Sequence, residues 1–320
     1  MPSAASLPVS RLRVVVLAAV IALAATACGG GEDGAGGQPA AANSSPIPDT
    51  SAIVGAVKKD DQLASGLPAK TAQAGTLRLG SNIQSAPNNF YASDGKTPIG
   101  FEVDLAKSVA AKLGLQVSYE DMAFGSLITS LQSGRIDLTM AAMNDTKERQ
   151  KQIDFVDYFQ SGITIMVKKG NPDGITGPDT LCGKNVAVVQ GTSHQQFAAD
   201  QSAKCTQAGK GAITVTATDS DTQNQNQLRT GRVAALLNDL PSAVYISKTA
   251  GDGKFFDVVP GEPINGGPYG IGVHKDSGGL TESVQKALQA LVADGTYGKI
   301  LDAWGVQQGA LKQVSLNAGS

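Results

Sequence analysis

The sequence predicts an α/β protein of two similar lobes, on three observations. Beyond about residue 73, short runs rich in Val, Ile and Leu alternate with longer stretches of helical apolar spacing, the rhythm of mostly parallel sheets flanked by helices. The compact part of the chain, roughly 240 residues, is long enough to divide into two lobes. The stretch "LQSGRIDLTMAAMND" at 131–145 recurs in outline as "LRTGRVAALLND" at 228–239, with Gly134 over Gly231 and Ile136 over Val233. Each copy reads as a helix stop followed by a strand that ends in a polar cluster.

The N-terminal end carries an export address. Arg11 and Arg13 precede "VVVLAAVIALAA", residues 14–25, too short for a permanent span but normal for a secretory signal. The run ends in "ATAC", which resembles a lipobox, although Ala25 stands where Leu is usual. Residues 1–27 are therefore expected to be a signal peptide and Cys28 the lipid-modified first residue of a bacterial lipoprotein. No later apolar run approaches 18 residues, so membrane attachment is expected through this lipid only. Residues 28–72 are expected to be a flexible tether, since "GGGEDGAGGQPAAANSSPIPDT" offers little apolar surface to bury. A short helix fits within 51–72.

From there the elements follow in order. "TLRLGS" reads as a strand. "GFEVDLAKSVAAKLG" puts Phe101, Leu105, Val109 and Leu113 on one helical face, with Gly114 as the stop. "LQVSYE" is a strand, "GSLITSLQSG" a helix and "IDLTMAA" a strand. "GITIMVKK", "KNVAVVQ", "AITVTAT", "RVAALLN" and "YGIGVHK" continue the strands. "SHQQFAADQSAKC", "LPSAVYISKTAG" and "LTESVQKALQALVADG" supply further helices.

Charge and cysteine content narrow the function. The net charge is −2, and removing residues 1–27 takes away two arginines and no acids. Nucleic-acid binding, which calls for a basic patch, is not indicated. With Cys28 assigned to lipid, Cys182 and Cys205 remain as one pair in an oxidising compartment, where a disulfide is expected. The alternatives, free thiols or metal ligands, lack partners, since His194 and His274 are the only histidines. No metal, no cofactor and no catalytic residue is expected: there is no nucleophile elbow, Ser/His/Asp constellation or ligand cluster.

Two strand ends carry opposite charge. Asp145 and Glu148 have capping-box spacing, which places Arg149 in a first helical turn. A cation is disfavoured there, and a guanidinium fits a carboxylate in a two-bond fork. "VVQGTSHQQF" adds a strand, a tight Gly191–Ser193 turn and a helix N-terminus able to meet an anion. Asp239 ends the second repeat. In open α/β sheets ligands bind outside the carboxyl ends of the strands, so Arg149 and Asp239 could form the two poles of a site for a free α-amino acid. His194 reads as a solvated first-turn residue, His274 as an exposed strand residue and Trp304 as packing of the last helix.

The motifs "GFEVDLAKSVAAKLG", "LITSLQSGRID", "DTKERQKQIDFVDYF", "VAVVQGTSHQQF", "LNDLPSAVY", "YGIGVHK" and "ALVADGTYGKILDAWG" resemble those of the family-3 solute-binding proteins of polar amino-acid ABC transporters. The resemblance spans roughly residues 74–306. It implies the type II periplasmic-binding-protein fold, with lobe 1 from 73–160 and 267–320, lobe 2 from 161–266, and crossings near 159–163 and 265–269. It also implies a monomer that delivers its ligand to an ABC permease driven by a cytoplasmic ATPase.

Carried onto this chain, the resemblance makes Arg149 the clamp on the ligand carboxylate, assisted by Ser193 and Asn144. Asp239 would accept the ligand ammonium, with Asn238 beside it. Phe124 would pack on the ligand, Ala142 would offer its backbone carbonyl, and Tyr269 would lie at the second hinge. Ser85 falls where an aromatic is common, so Phe90 or Tyr91 would substitute. Asn82 stands where Asp is frequent. With Asn82, Asn88, Asn89 and Asn238 as the wall, a polar uncharged side chain is expected over a cationic one. A cyclohexadienyl dehydratase, which shares the fold, is the enzymatic alternative.

Overall fold

The computed structural model describes residues 47–320; the expected signal peptide, Cys28 and the first part of the expected tether lie outside the described residues. The strands are β1 (Thr76–Ser81), β2 (Phe90–Tyr91), β3 (Pro98–Ile99), β4 (Gln116–Asp121), β5 (Leu138–Thr139), β6 (Asp154–Lys168), β7 (Asn185–Val189), β8 (Thr214–Thr218), β9 (Ala235–Asp239), β10 (Phe256–Val258) and β11 (Ile264–Val273). The helices are α1 (Ser51–Gly55), α2 (Asp61–Ala64), α3 (Ala69–Ala74), α4 (Phe101–Lys112), α5 (Leu127–Gln132), α6 (Lys147–Gln150), α7 (Ser193–Gln207), α8 (Asp221–Arg229), α9 (Leu240–Thr249), α10 (Leu280–Ala293) and α11 (Thr296–Ala303).

Nine strands join in one sheet path, β4-β1-β5-β11-β6-β9-β7-β8, with β10 on β6, while β2 and β3 form a separate hairpin. The strands β4, β1 and β5 are parallel, as are β9, β7 and β8. Between these triplets, β11 and β6 run antiparallel to each other and to their outer neighbours. Apolar side chains gather in separate cores. One collects α4, α10 and α11 on β1 and β11, including Phe101, Leu105, Leu288 and Ile300. Another collects β7, β9 and α7, including Val186, Leu237 and Phe197.

The repeat seen in the sequence has a backbone cause. Gly134 and Gly231 both take left-handed φ, 69° and 75°, which ends α5 and α8 and turns the chain into the next strand. Ile136 and Val233 follow as buried residues.

Three elements differ from expectation. Helices begin at Ser51, so the tether does not reach residue 72. Asp60 caps α2 by accepting from the Gln62 and Leu63 amides, and Ile53, Val57, Leu63 and Leu67 pack on the first core; these apolar side chains order the segment by burial. Strand β6 begins eight residues before "GITIMVKK" and runs for 15 residues. Helix α8, "DTQNQNQLR", has no apolar stripe beyond buried Leu228 and starts from the Ser220 side chain, which accepts from the Gln223 amide.

Residues 315–319 bind back onto β6 and the loop before α6. Leu316 bridges Val156, the Phe155 amide donates to Asn317 Oδ1 at 2.8 Å, and the Gly319 amide donates to Asp145 Oδ2 at 2.7 Å.

Cys182, before β7, and Cys205, in α7, form a disulfide with Cα atoms 5.5 Å apart, tying the helix to its sheet. Replacing both by Ser should destabilise the protein by about 3 kcal/mol, from the loop the bridge closes, and leave ligand selectivity unchanged. Intact mass of exported protein checks the bridge; two thiols alkylated without reductant would refute it.

Candidate functional site

The carboxyl ends of the two parallel triplets converge. From β1, β4 and β5 come Asn82, Phe124, and the loop Ala142–Asn144; from β7, β8 and β9 come Ser193, Asp221 and Asp239. Strand β6 sets their spacing: Phe159 pairs with Tyr269, which bridges Asn144, and Ile163 pairs with Asp239. Asn82, Phe124, Ala142, Asn144, Ser193, Asn238 and Asp239 line one cavity of about 40 Å³, together with His194 and Asp221. Arg149 borders an adjoining open groove of about 690 Å³ that shares Asn144, Thr192 and Ser193 with the cavity.

Arg149 lies in the first turn of α6, but the cap is Thr146 rather than Asp145. The Thr146 hydroxyl accepts from the Arg149 amide at 3.3 Å. Asp145 instead accepts from Gln150 and Gly319, which removes it from capping. The Arg149 guanidinium donates through Nη1 to the Asn144 carbonyl (2.8 Å) and through Nη2 to the Gly191 carbonyl (3.2 Å). Its Cζ sits 5.4 Å from the centre of the Phe124 ring. Among the described residues no carboxylate lies within ion-pair distance of it. Burial lowers its pKa to about 10, with Asp239 and Asp145 opposing, so it stays charged at neutral pH. A guanidinium has five N–H donors, and carbonyls take two.

The Asp239 carboxylate is buried. Its Oδ1 lies 3.2 Å from His194 Nε2, yet the contact is poorly directed and neither atom makes a hydrogen bond. His194 is therefore a buried neighbour of the site, not the solvated residue expected from its first-turn position. Beside it, the Asn238 side chain accepts from the Asp239 amide (2.9 Å) and donates to Asp221 Oδ1 (3.2 Å).

Other expected residues divide. Ser193 Oγ donates to Asn144 Oδ1 at 2.7 Å. Asn82 donates to the Met122 carbonyl and accepts from Gln84. Ala142 has φ of 50°, and its amide donates to Glu102 Oε1 at 2.8 Å. Glu102 also accepts from Tyr158 and Asn89; it holds the strained loop from behind and was not among the expected site residues. Its signal was an acid inside the apolar face of "GFEVDL". Tyr269 is buried and stacks on Phe159 at 5.6 Å. Phe90 does not line the cavity; it packs on Tyr245 and Trp304. Asn88 and Asn89 are buried outside the cavity lining. Trp304 donates to Asp104 at 2.7 Å, and half-buried His274 accepts from the Asp276 amide. Asp221 was missed because α8 was missed.

The family model described as bacterial extracellular solute-binding proteins, family 3, matches residues 77–307. The chain belongs to this family. It is 29% identical over 273 residues to the arginine-binding protein ArgT of Corynebacterium glutamicum, covering 85% of this chain and 84% of that protein. It is 30% identical over 240 residues to the L-cystine-binding protein TcyJ of Escherichia coli, covering 75% and 86%. Of solved structures, an ancestral arginine-binding protein bound to arginine matches with a TM-score of 0.65 and 38% identity, over 72% of this chain and 98% of that one. An ancestral amino acid-binding protein, described as a precursor of cyclohexadienyl dehydratase, matches with a TM-score of 0.66 and 31% identity, over 73% and 97%.

Burial raises three carboxyls: Glu102 to about 7, Asp157 to about 6 and Asp221 to about 6. Between the unfolded and folded values the folded chain binds more protons, so these groups favour folding at low pH and lose that contribution as pH rises through about 6 to 7. The unliganded protein should melt higher at pH 5.5 than at pH 7.5, and Glu102→Gln should flatten the upper part of that change. A melting temperature that falls on acidification to pH 5.5 contradicts the assignment.

Proposed function

We propose that the protein captures a free amino acid between two lobes and delivers it to an ABC permease driven by a cytoplasmic ATPase. Family membership supports this, as do relatives named for binding arginine and L-cystine. The protein acts as an exported monomer, held to the outer face of the cell membrane by lipid on Cys28. Lobe 1 comprises 73–160 and 267–320, and lobe 2 comprises 161–266. The crossings near 159–163 and 265–269 act as hinges, a reading supported by register shifts in β11 on both sides of Gly267–Tyr269.

The carrying observation is a guanidinium with N–H donors to spare together with a buried carboxylate oxygen that makes no hydrogen bond. Arg149 is half-buried, faces no carboxylate at ion-pair distance among the described residues, and keeps three N–H donors in reserve. Asp239 Oδ1 is buried without a hydrogen bond. The ligand carboxylate takes the guanidinium fork and the Ser193 end of α7; its ammonium takes Asp239 and the Ala142 carbonyl. Asn144 and Phe124 form the shared wall, Asn238 and Asn82 face the side chain, and Tyr269 backs the hinge. The contacts Arg149–Gly191 and Ser193–Asn144 join the lobes; when they part, cavity and groove become one entry. Closure on ligand adds charge-assisted contacts that the open form lacks.

Arg149→Ala should leave the fold intact and weaken amino-acid binding by roughly 100-fold, the scale of hydrogen bonds to a charged group at about 1.5–3 kcal/mol each. Arg149→Lys should restore little, since the fork is lost. Calorimetry giving an unchanged affinity for a folded Arg149→Ala protein sinks the site. Amidated or N-acetylated ligand should bind as poorly as the variants. Turnover of prephenate or arogenate would favour the dehydratase reading instead.

A further inference from the structure

We propose that Asp221 determines specificity, its carboxylate accepting a cationic side chain (a guanidinium or an ammonium) on the bound amino acid. This rests on the amino-acid reading above and names the ligand class for that site.

Asp221 is 3% exposed and lines the same cavity as Asp239, His194 and Asn82. Its oxygens are held by neutral amides: Oδ1 by Asn238 Nδ2 at 3.2 Å and Oδ2 by Gln225 Nε2 at 2.6 Å. A carboxylate offers about four acceptor positions, so capacity remains. Among the described residues no lysine or arginine lies within ion-pair distance of it. The start of α8 is also tied to the loop after β1. The Asp221 amide donates to Gln84 Oε1 at 3.2 Å, and Gln84 Nε2 donates to Asn82 Oδ1 at 2.7 Å and to the Asp219 carbonyl at 2.6 Å. Asn82 and Asp221 thus approach one end of the cavity from opposite lobes.

Charge counting then selects the ligand. An amino-acid zwitterion matches Arg149 and Asp239 and leaves one more buried acid. The titratable groups facing Asp221 are His194 from α7 and Asp239 from β9, and His194 Nε2 makes its contact with Asp239. A buried carboxylate without a cation is costly. Burial raises the Asp221 carboxyl to about 6, the Gln225 hydrogen bond and His194 opposing and Asp239 adding to it. A cationic side chain supplies the missing charge. The wall is therefore not the neutral one expected from Asn82, Asn88, Asn89 and Asn238: an acid reaches it from α8.

The test compares arginine with citrulline, which share shape and differ in charge, and lysine with glutamine. By calorimetry at pH 7.5 the wild type should prefer arginine over citrulline on the order of 10- to 100-fold, the equivalent of one charge-assisted hydrogen-bonded contact. Asp221→Asn, and Asp221→Ala as a second variant, should abolish that preference while citrulline or glutamine binding is kept or tightened. A merely structural role for Asp221 would weaken all ligands together. A wild type that binds citrulline as tightly as arginine, or variants that retain the preference, overturns this assignment and leaves the amino-acid reading standing. A wild type that binds none of these amino acids overturns both.

Discussion

The antiparallel pairing of β6 with β11 is the constraint on which the site depends. An extended strand has little freedom to change length, so whatever pairs along β6 is held at a defined spacing. Within five residues of that strand, Phe159 pairs with Tyr269 and Ile163 pairs with Asp239. Tyr269 in turn bridges Asn144, whose carbonyl receives Arg149. The two charged poles are therefore referenced to one piece of backbone. Because β6 and β11 run antiparallel to the sheets beside them, the carboxyl ends of the two parallel triplets are brought face to face. A uniformly parallel sheet would have put all six ends along one edge, without an opposing wall.

Burial supplies the second half of the physics. Asp239 and Asp221 have been withdrawn from water, and Arg149 partly so, while retaining unused hydrogen-bonding capacity. Such groups lower the stability of the unliganded fold, and a ligand that matches them stabilises it by the same interactions. Glu102 shows the contrasting case. It is as deeply buried, but the Ala142 amide, Tyr158 and Asn89 satisfy it, so its work is to hold a left-handed loop in place. The same type of side chain is fully satisfied in one position and keeps acceptor capacity in the other, and the difference lies in its partners.

Much of this was legible in the sequence because local signals and global fold agree. "TLRLGS" alternates Leu77 and Leu79 with polar or small residues and forms β1; "GFEVDLAKSVAAKLG" carries a four-residue apolar stripe and forms α4. The repeat around Gly134 and Gly231 identified two equivalent helix stops, both with left-handed φ. What failed had weak or misleading local signals. "DTQNQNQLR" is polar at almost every position, so its helical state depends on a Ser220 cap and on Leu228 reaching a core formed elsewhere. Thr146 displaced Asp145 as the cap because a distant segment, through Gly319, occupies the Asp145 carboxylate. His194 has the spacing of an exposed first-turn residue and is buried beside Asp239 of β9.

Sequence alone determined the alternation of strand and helix, the cysteine pair, and the two charged strand ends, since each is a property of composition or short-range spacing. Only the tertiary structure decided which polar residues share a cavity. That choice depends on strand order and register, through contacts such as Asp221 with Asn238 and Gln84, 17 and 137 residues apart in the chain. Side chains that distant acquire a common environment only when the sheet is assembled, and no local pattern encodes that they will meet.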